Sequence, residues 1–456
     1  MNPSHAARAV TAAGLALVII ATSTLTRAQG DPPAPIPIQR GGFLGLRQAL
    51  DLAFRSHPSL QEGDAQVRAA NARTEQTKSL YLPQVYANFD SAAGSGRINP
   101  RYLIGGGLLQ SNLSAYSGGV LATQRLYDFG FTQNLVESNE LAARAQLQDV
   151  SARRTWISLI VQRAYLNSLK RRRLVQIAEE TVRERGVIKS QIEALYRQQL
   201  KSKLDLDLVQ VELTNAESLL VKSRNDLKAS YAELNRSMGV QGADDYVLED
   251  VPIHVRSAGT LESLITESLN HPEVKRAKEQ IRSAEAKLRA TKRQYLPTVQ
   301  ALASAGDYET FDASKGVPTG GWWTAAGMVS MPLFTGFLIE NQVREAAAQQ
   351  DAAQAASTGI EQALTQQVTN AYLDTMTQAQ QIKLSEEQVK TAQEALNLAK
   401  QRYKLGLGSV VEVTQSEVAL TSAQTRLAEA QYDYKTAEVM LAYATGALAG
   451  TDAGGK

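Results

Sequence analysis

Two acidic residues are the strongest candidates for chemistry in this sequence of 456 residues. Asp205 and Glu412 each stand at the start of a predicted helix, and they occupy equivalent places in two copies of one repeated segment. Acidic side chains gathered into a ring select cations and control the electrostatics of an aperture. A negative charge at a helix N-terminus can also simply stabilise that helix. The sequence leaves both interpretations of these two residues open.

The histidines do not form a catalytic group. His57 and His271 each stand directly before a proline at a predicted helix start, which favours a capping or turn role. The sequence contains no HExxH motif, glycine-rich phosphate loop or nucleophile elbow. It also contains no cysteine, so we expect no thiolate nucleophile, disulfide or lipid anchor. We therefore expect a protein that is not an enzyme and that needs no cofactor or metal.

The sequence repeats itself, and the repeat defines the elements that must position the two acids. Segments of the first half recur in the second half with an offset of 214 positions up to Pro83 and of 207 positions from Leu126 onward. The single change of offset places an insertion in a loop of the first copy, where insertions are tolerated. The matching segments are 56–58 with 270–272, 81–83 with 295–297, 126–127 with 333–334, 164–166 with 371–373, and 239 with 446.

Each copy predicts the same series of elements: a short helix, a second helix, a pair of strands, a very long helix and a return helix. The second helix begins at the His-Pro pair and ends before the Leu-Pro pair, because proline suits the first helical turn and disfavours helix in the residue before it. Alternation of apolar and polar residues predicts strands at about 84–127 and 298–334. Long helical hairpins are expected at about 131–238 and 337–445, and the outgoing helix from Phe131 to about Ser202 would span about 108 Å.

The return helices carry a strict four-three spacing, which is the heptad pattern of coiled coils. Large residues occupy one seam position and mostly small residues the other, so that facing helices can interlock closely. We therefore expect each long helix and its return helix to pack as an antiparallel pair. The seam residues are Leu206, Val209, Leu213, Ala216, Leu220, Ser223, Leu227, Ser230 and Leu234 in the first copy, and Val413, Ser416, Leu420, Ala423, Leu427, Ala430, Tyr434, Ala437 and Leu441 in the second.

The ends of the chain and the link between the copies complete the predicted domain organisation. Arg8, the apolar stretch 12–21 and the segment 26–28 are typical of a cleaved secretory signal. Without Arg8 and Arg27 the chain carries 46 basic and 46 acidic residues, a balance that does not suggest a nucleic-acid partner. The predicted parts are a signal peptide at 1–28, a proline-rich segment at 29–43, the first repeat at 44–239, an inter-repeat equatorial segment at 240–259, the second repeat at 260–446 and a flexible tail at 447–456.

The repeated segments resemble a known family. The signal peptide, the two copies, the segments 126–130 (Leu-Tyr-Asp-Phe-Gly), 333–337 (Leu-Phe-Thr-Gly-Phe) and 402–406 (Arg-Tyr-Lys-Leu-Gly) are similar to those of TolC-type outer-membrane efflux proteins. The resemblance covers nearly the whole chain after residue 28. It implies a mainly α-helical fold with a β-barrel part: a homotrimer with a twelve-stranded barrel in the outer membrane on a helical tube in the periplasm. Twelve strands agree with barrel geometry, because eight strands enclose only side chains and an open channel needs more.

The resemblance also implies a function and a set of partners. The protein is expected to be the passive exit duct of a tripartite efflux pump, and its partners are other copies of itself, a periplasmic adaptor, an inner-membrane pump and outer-membrane lipid. Two alternatives remain. One is the outer-membrane component of type I protein secretion. The other is a soluble periplasmic coiled-coil adaptor, which would carry its strands outside the duplicated unit.

Roles for residues at the two hairpin turns follow from the resemblance. Asp205 and Glu412 would line the aperture at the periplasmic end, and Gln415 stands where the family often has a second acid. Tyr403 matches a family tyrosine that hydrogen-bonds an acidic residue of a neighbouring copy, here Asp205, and so holds the aperture shut. Alternatively, Tyr403 is one more residue of the helical seam. The tips expected to contact the adaptor are Lys201, Ser202, Lys404, Gly406, Gly408 and Ser409.

Two further expectations concern the shape of the turns and the surface. Gly406 and Gly408 permit a tight turn, whereas Gln199 and Lys201 stand there in the first copy, so we expect the two turns to differ in shape. The basic run 170–173 is expected on a solvated face. Aromatic residues near the strand ends, among them Trp322 and Trp323, fit either a girdle at a membrane interface or packing inside the chain.

Overall fold

A computed structural model describes residues 42–94, 97–98, 109–110, 113–241, 245–256, 259–310 and 320–449. The predicted signal peptide, nearly all of the proline-rich segment and residues 450–456 lie outside the described residues.

The first half of the chain contains four helices and five strands within its described residues. In order, they are β1 (Phe43–Leu44), α1 (Leu46–Ser56), α2 (Pro58–Lys78), β2 (Gln84–Gly94), β3 (Arg97–Ile98), β4 (Leu109–Gln110), β5 (Leu113–Tyr127), α3 (Phe131–Arg197) and α4 (Lys203–Met238). A single turn of 3₁₀ helix, Ser79–Tyr81, extends α2 towards Pro83. The helix α3 is 67 residues long and ends a few residues earlier than the sequence predicts.

The second half repeats this order within its described residues. After the short strand β6 (Val247–Leu248) come α5 (Leu261–Ser268), α6 (Pro272–Arg293), β7 (Thr298–Thr310), β8 (Gly320–Ser330), α7 (Leu338–Lys404) and α8 (Val410–Ala444). The helix α7 is also 67 residues long, and both its ends are offset from those of α3 by 207 positions. The strand β6 pairs in parallel with β1 and so ties the inter-repeat segment to the start of the first copy.

The four long strands form one antiparallel sheet in the order β2-β5-β7-β8. Its central pairing joins the two repeats of the chain, since β5 pairs with β7 and Ala122 lies opposite Ala303. The strands β2 and β8 are the two edges. Residues that lie opposite each other share a face of the sheet, and one face is mainly apolar across all four strands, with Gln124 and Asp307 as polar exceptions. Its apolar members include Val85, Ala87, Phe89, Val120, Ala122, Val299, Ala301, Ala303, Ala305, Trp323, Ala325 and Val329.

The opposite face of the sheet mixes polar and apolar side chains, and its polar members include Gln84, Asn88, Thr123, Arg125, Thr298, Gln300, Ser304, Thr324 and Ser330. Large side chains on the apolar face remain uncovered in the single chain. Trp323 is 80% exposed and Phe89 is 74% exposed. Apolar surface of this kind is unfavourable in water and indicates a further contact.

The long helices pair as the heptad pattern predicts. Along α4 and α8 the seam residues are buried or half-buried, with Val209, Leu234 and Tyr434 nearly inaccessible. The helix α8 has a second buried stripe that faces α3. There Val410 packs with Ile192, and the Thr181 and Thr421 hydroxyls lie 3.4 Å apart. The second hairpin is therefore held against the first by α3 and α8.

Histidine caps start the second helix of each copy, as the sequence predicts. Nδ1 of His57 accepts a hydrogen bond from the Ser59 amide at 3.2 Å, and Nδ1 of His271 accepts one from the Glu273 amide at 3.3 Å. Each return helix ends beside the histidine of its own copy, at a glycine in the left-handed region. The Gly239 φ angle is +69° and that of Gly446 is +79°. An added Cβ at Gly239 would lie 2.7 Å from the His57 Cα atom, so the approach requires glycine.

The expectation of a solvated basic run was wrong for Lys170 and Arg172, whereas Arg171 forms an ion pair that stays in solvent, with its side chain 37% exposed. Lys170 lies 2.9 Å from Asp433 on α8, and Arg171 lies 3.1 Å from Asp226 on α4. Arg172 donates a hydrogen bond of 2.6 Å to the Leu248 carbonyl on β6. The run serves as a junction because α3 passes three other elements at this level, and a linear sequence does not reveal which neighbours meet there.

The predicted flexible tail at 447–456 needs a correction at its start. Ala447–Ala449 form a 3₁₀ turn, and Leu448 is buried against Leu159 and Tyr443. A single apolar residue after a helix-ending glycine gives too weak a sequence pattern to predict this docking.

None of the helices in the described part of the chain is both long enough and apolar enough to cross a membrane.

Candidate aperture at the two hairpin turns

The two turns have the same backbone conformation, contrary to the expectation from sequence. Gln199 in the first turn and Gly406 in the second both adopt left-handed angles, with φ of 62° and 74°. The amide of the next residue then donates to a carbonyl five residues back, at 2.9 Å in both turns. This is the Schellman arrangement that ends many helices. Gln199 adopts it without being glycine, which is why residue type alone failed to predict the shared shape.

A serine caps the return helix in each turn. The Ser202 Oγ atom accepts from the Asp205 amide, and the Ser409 Oγ atom accepts from the Glu412 amide, both at 3.2 Å. In the first turn the Asp205 carboxylate also accepts from the Ser202 amide at 3.2 Å and from its hydroxyl at 2.9 Å. Asp205 is therefore engaged in a reciprocal capping box. Capping by Asp205 is present in the chain whether or not it also contributes to a ring of acids.

Glu412 is placed differently, because its carboxylate turns towards the end of the long helix. Its Oε2 atom lies 3.5 Å from the Nε atom of Arg402. A Cβ atom at Gly408 would lie 3.1 Å from that same Oε2 atom and 3.2 Å from the Arg402 Cβ atom. The small residue thus leaves room for the ion pair. Sequence reasoning missed Arg402. A signal was available, because the equivalent residue of the first repeat is Leu195, so the positive charge occurs only in the second repeat.

Tyr403 is a packed residue of the seam. Its ring lies among Ile188, Leu206 and Val410, so it contacts both hairpins. Its hydroxyl is buried and forms no hydrogen bond with any described residue. The Lys201 ammonium lies 4.4 Å from the centre of its ring, in cation–π geometry. Tyr403 and Asp205 are therefore not bonded within the chain, and a bond between copies stays a prediction.

The remaining predicted tip residues lie at the surface of the turns. Lys404, Gly406, Ser409 and Gln415 are exposed. Large apolar side chains stand among them, with Leu405 74% and Leu407 70% exposed. Each turn presents two or more exposed leucines, and the first contributes Leu200 and Leu204. The tips therefore combine exposed apolar side chains with polar neighbours.

A group of charged residues lies behind the turns, and sequence reasoning missed it. Nη1 of Arg185 donates to the Glu212 carbonyl at 2.7 Å and to its carboxylate at 2.9 Å, which joins α3 to α4. Nζ of Lys400 lies 3.3 Å from Oε1 of Glu417, which joins α7 to α8. Burial raises the pKa of Glu417. The spacing of Glu417 from Val410 and Thr421 on one helix face was the available signal, but a glutamate within a polar helix usually faces solvent.

A sheet shared by two repeats, with two long helical hairpins that begin at one end of it, is also the fold of solved outer-membrane channels. The solved structure of CusC, described as forming a transmembrane channel, superposes with a TM-score of 0.76 at 19% identity, over 91% of this chain and 97% of that one. The outer-membrane channel OprN also superposes with a TM-score of 0.76, at 18% identity, over 88% and 89% of the two chains.

The chain belongs to the outer membrane efflux protein family, whose model matches residues 49–240 and 266–447. Among curated relatives, outer membrane protein TolC of Escherichia coli (strain K12) is 24% identical over 91% of this chain and 86% of that protein. Outer membrane efflux protein BepC of Brucella suis biovar 1 is 21% identical over 88% of this chain and 85% of that protein. The protein is an outer-membrane efflux channel of the TolC type.

Proposed function

We propose that the chain is one third of the exit duct of a tripartite efflux pump. Three copies close a twelve-stranded barrel in the outer membrane and a helical tube in the periplasm. A periplasmic adaptor holds the hairpin tips, and an inner-membrane pump supplies the energy. The duct itself is passive.

One observation carries this proposal. The two edge strands of the sheet, β2 and β8, are the repeat counterparts of β7 and β5, which pair with each other at its centre. With an offset of 207, β8 is the counterpart of β5; with an offset of 214, β7 is the counterpart of β2. Within the chain β5 pairs with β7. The β8 edge of one copy therefore fits the β2 edge of the next, in the same antiparallel register. Repetition of this pairing closes a ring and leaves no free edge.

The faces of the sheet agree with a barrel in a membrane. The apolar face, which includes Val85, Val120 and Trp323, would meet lipid, and the face with Gln84, Thr123 and Ser304 would line the channel. Three copies are required, because the eight strands of two copies would enclose a space that side chains fill.

The helices support the same ring. Within the chain α3 packs on α8, through Ile192 and Val410 among others. Their counterparts, α7 and α4, have no such packing in the described chain, and apolar members of the equivalent faces stay exposed, among them Leu384 on α7 and Val221 on α4. In the assembly α7 of one copy would pack on α4 of the next. The tube would then consist of six hairpins in two alternating types.

At the closed end of the tube, three copies each of Asp205 and Glu412 surround the aperture. The exposed leucines and the residues Lys201, Ser202, Lys404, Gly406, Gly408 and Ser409 form the surface for the adaptor.

The alternative that this chain is itself a coiled-coil adaptor fails. It requires strands outside the duplicated unit, whereas each repeat contributes two strands to the one sheet. Lysine-specific crosslinking in cells tests the docking: Lys404 or Lys201 should give adducts with an adaptor.

A cysteine pair tests the assembly, since the native chain has no cysteine. The pairing of Ala122 with Ala303 places Val329 of one copy opposite Phe89 of the next. Phe89→Cys combined with Val329→Cys should give a covalent trimer on a non-reducing gel. The control, Asn88→Cys with Val329→Cys, puts the two thiols on opposite faces and should stay uncrosslinked. A double variant that remains monomeric while it conducts ions in planar bilayers would refute the register.

A further inference from the structure

The buried stripe that α8 turns towards α3 contains one acidic residue. Along this stripe Val410, Ala428 and Tyr432 are buried, Thr414 and Thr421 are half-buried, and Glu417 is 5% exposed. The other members are apolar, small or hydroxyl-bearing and suit a helix contact. A carboxylate in such a place loses its hydration, which is costly unless a partner compensates for it.

The three other long helices each contribute a charge to the surroundings of Glu417. Lys400 on α7 lies 3.3 Å away, and Glu184 and Arg185 on α3 act on it through space, with opposite signs. Arg185 is itself held by Glu212 on α4. The only cation in contact with Glu417 among the described residues is therefore Lys400, which is partly exposed.

This acid sits at the contact between the two hairpins, close to the turns. One turn of α8 away from the tip, the Thr421 hydroxyl lies 3.4 Å from that of Thr181 on α3. Towards the tip, Ile188 of α3 packs with Val413 of α8 and Leu396 of α7. Glu417 therefore lies within the packing that joins the two hairpins near their turns.

We propose that proton binding to Glu417 controls how tightly the second hairpin packs on α3, and through that packing how far the aperture opens. This inference rests on the proposed duct. A neutral Glu417 favours the packed hairpins. An ionised Glu417 is stabilised by water and so favours their separation. Because burial raises the pKa of this carboxyl, packing is favoured at low pH and weakens as the pH rises through the raised value.

The repeat shows that the stripe does not need this acid. The residue equivalent to Glu417 in the first copy is Gln210, an uncharged side chain of nearly the same shape. In the proposed ring Gln210 faces the neighbouring chain. The contacts between chains therefore lack the carboxyl that Glu417 supplies within a chain. The proposal therefore concerns the contact within each chain.

The first test measures hairpin packing without reference to transport. Thr181→Cys with Thr421→Cys places two thiols across the α3–α8 contact in a protein that has no other cysteine. At one fixed pH near neutrality, addition of Glu417→Gln should speed disulfide formation severalfold, because the neutral side chain keeps the two hairpins packed. Glu429→Gln, which removes the same charge from an exposed site on α8, should leave the rate unchanged. Equal rates in all three proteins would overturn the inference.

The second test measures the aperture. In planar bilayers the open probability of the full protein should fall as the pH is lowered from about 8 to about 5. Glu417→Gln should hold it low throughout. Lys400→Met, which removes the compensating cation, should move the midpoint to higher pH. An unmoved midpoint would contradict the proposal even if Glu417→Gln failed to fold. A crosslinking response without any conductance would instead count against the proposed duct.

Discussion

The Arg402 Nε atom and the Glu412 Oε2 atom lie 3.5 Å apart across the second hairpin turn. The first turn has the same backbone but holds Leu195 and Asp205 at these positions, and the carboxylate of Asp205 caps its own helix. Both members of the Arg402–Glu412 pair are about half exposed, so the pair contributes little to stability. The pair instead fixes the position of the Glu412 carboxylate, beside Arg402.

Glu412→Gln should lower the cation selectivity of the channel, because it removes one of the two types of carboxylate proposed at the aperture. Arg402→Leu should raise the selectivity, since it frees the same carboxylate from its cation. Reversal potentials in a salt gradient across a planar bilayer measure both effects. The aperture assignment would be wrong if both variants matched the unmodified protein.

Tyr403→Phe should raise the open probability if the hydroxyl bonds Asp205 of a neighbouring copy. Within the chain this hydroxyl has no hydrogen-bond partner among the described residues, so its removal should not destabilise the protomer. Single-channel recording together with the thermal unfolding midpoint separates the two effects. The counterpart Tyr196→Phe serves as a matched control. An unchanged open probability would leave Tyr403 as a seam residue only.

Asp128→Asn should destabilise the protein by about 1–3 kcal/mol, the usual range for disrupting hydrogen bonds at a buried group. Asp128 lies at the junction of β5 and α3, where it accepts from the amides of Gly130 at 3.2 Å and Thr132 at 2.9 Å, from the Thr132 hydroxyl, and from Arg125. Thr335→Ala, at the equivalent junction of the second copy, should have a smaller effect. Thermal unfolding in detergent compares the two, and equal losses would contradict the role given to Asp128.

His271 should make the protein lose stability in mild acid. Its side chain is 0% exposed and burial lowers its pKa below the ordinary 6.5. The folded state therefore holds the neutral form. The stability it contributes is complete above 6.5 and declines as the pH falls from 6.5 to the lowered value, because only the unfolded chain binds the proton in that interval. His271→Asn retains a capping side chain and should flatten the decline in unfolding midpoint between about pH 7 and about pH 5. The same slope in both proteins would exclude His271.

The helical part of the fold was predictable from sequence because the seam from Leu206 to Leu234 follows one spacing without interruption. The caps at His57 and His271 were predictable because His-Pro occurs twice at the same offset. The charged contacts were not, since Arg185 pairs with Glu212 and Lys400 with Glu417 across a hairpin turn, where the spacing within one helix does not identify the partner. The shape of the first turn was missed because Gln199 takes a backbone conformation that its type disfavours.

The correspondence between the β5–β7 pair and the two sheet edges has an evolutionary consequence. A chain with one repeat would have edges that match each other, so six such chains would build the ring that three chains build here. Fusion of two repeats into one gene turns six equal positions into two sets of three. One set can then acquire Arg402, Gly408 and Glu417, while the other keeps Leu195, Lys201 and Gln210. Duplication thus permits one half of the channel to specialise without disturbing the contacts that close the ring.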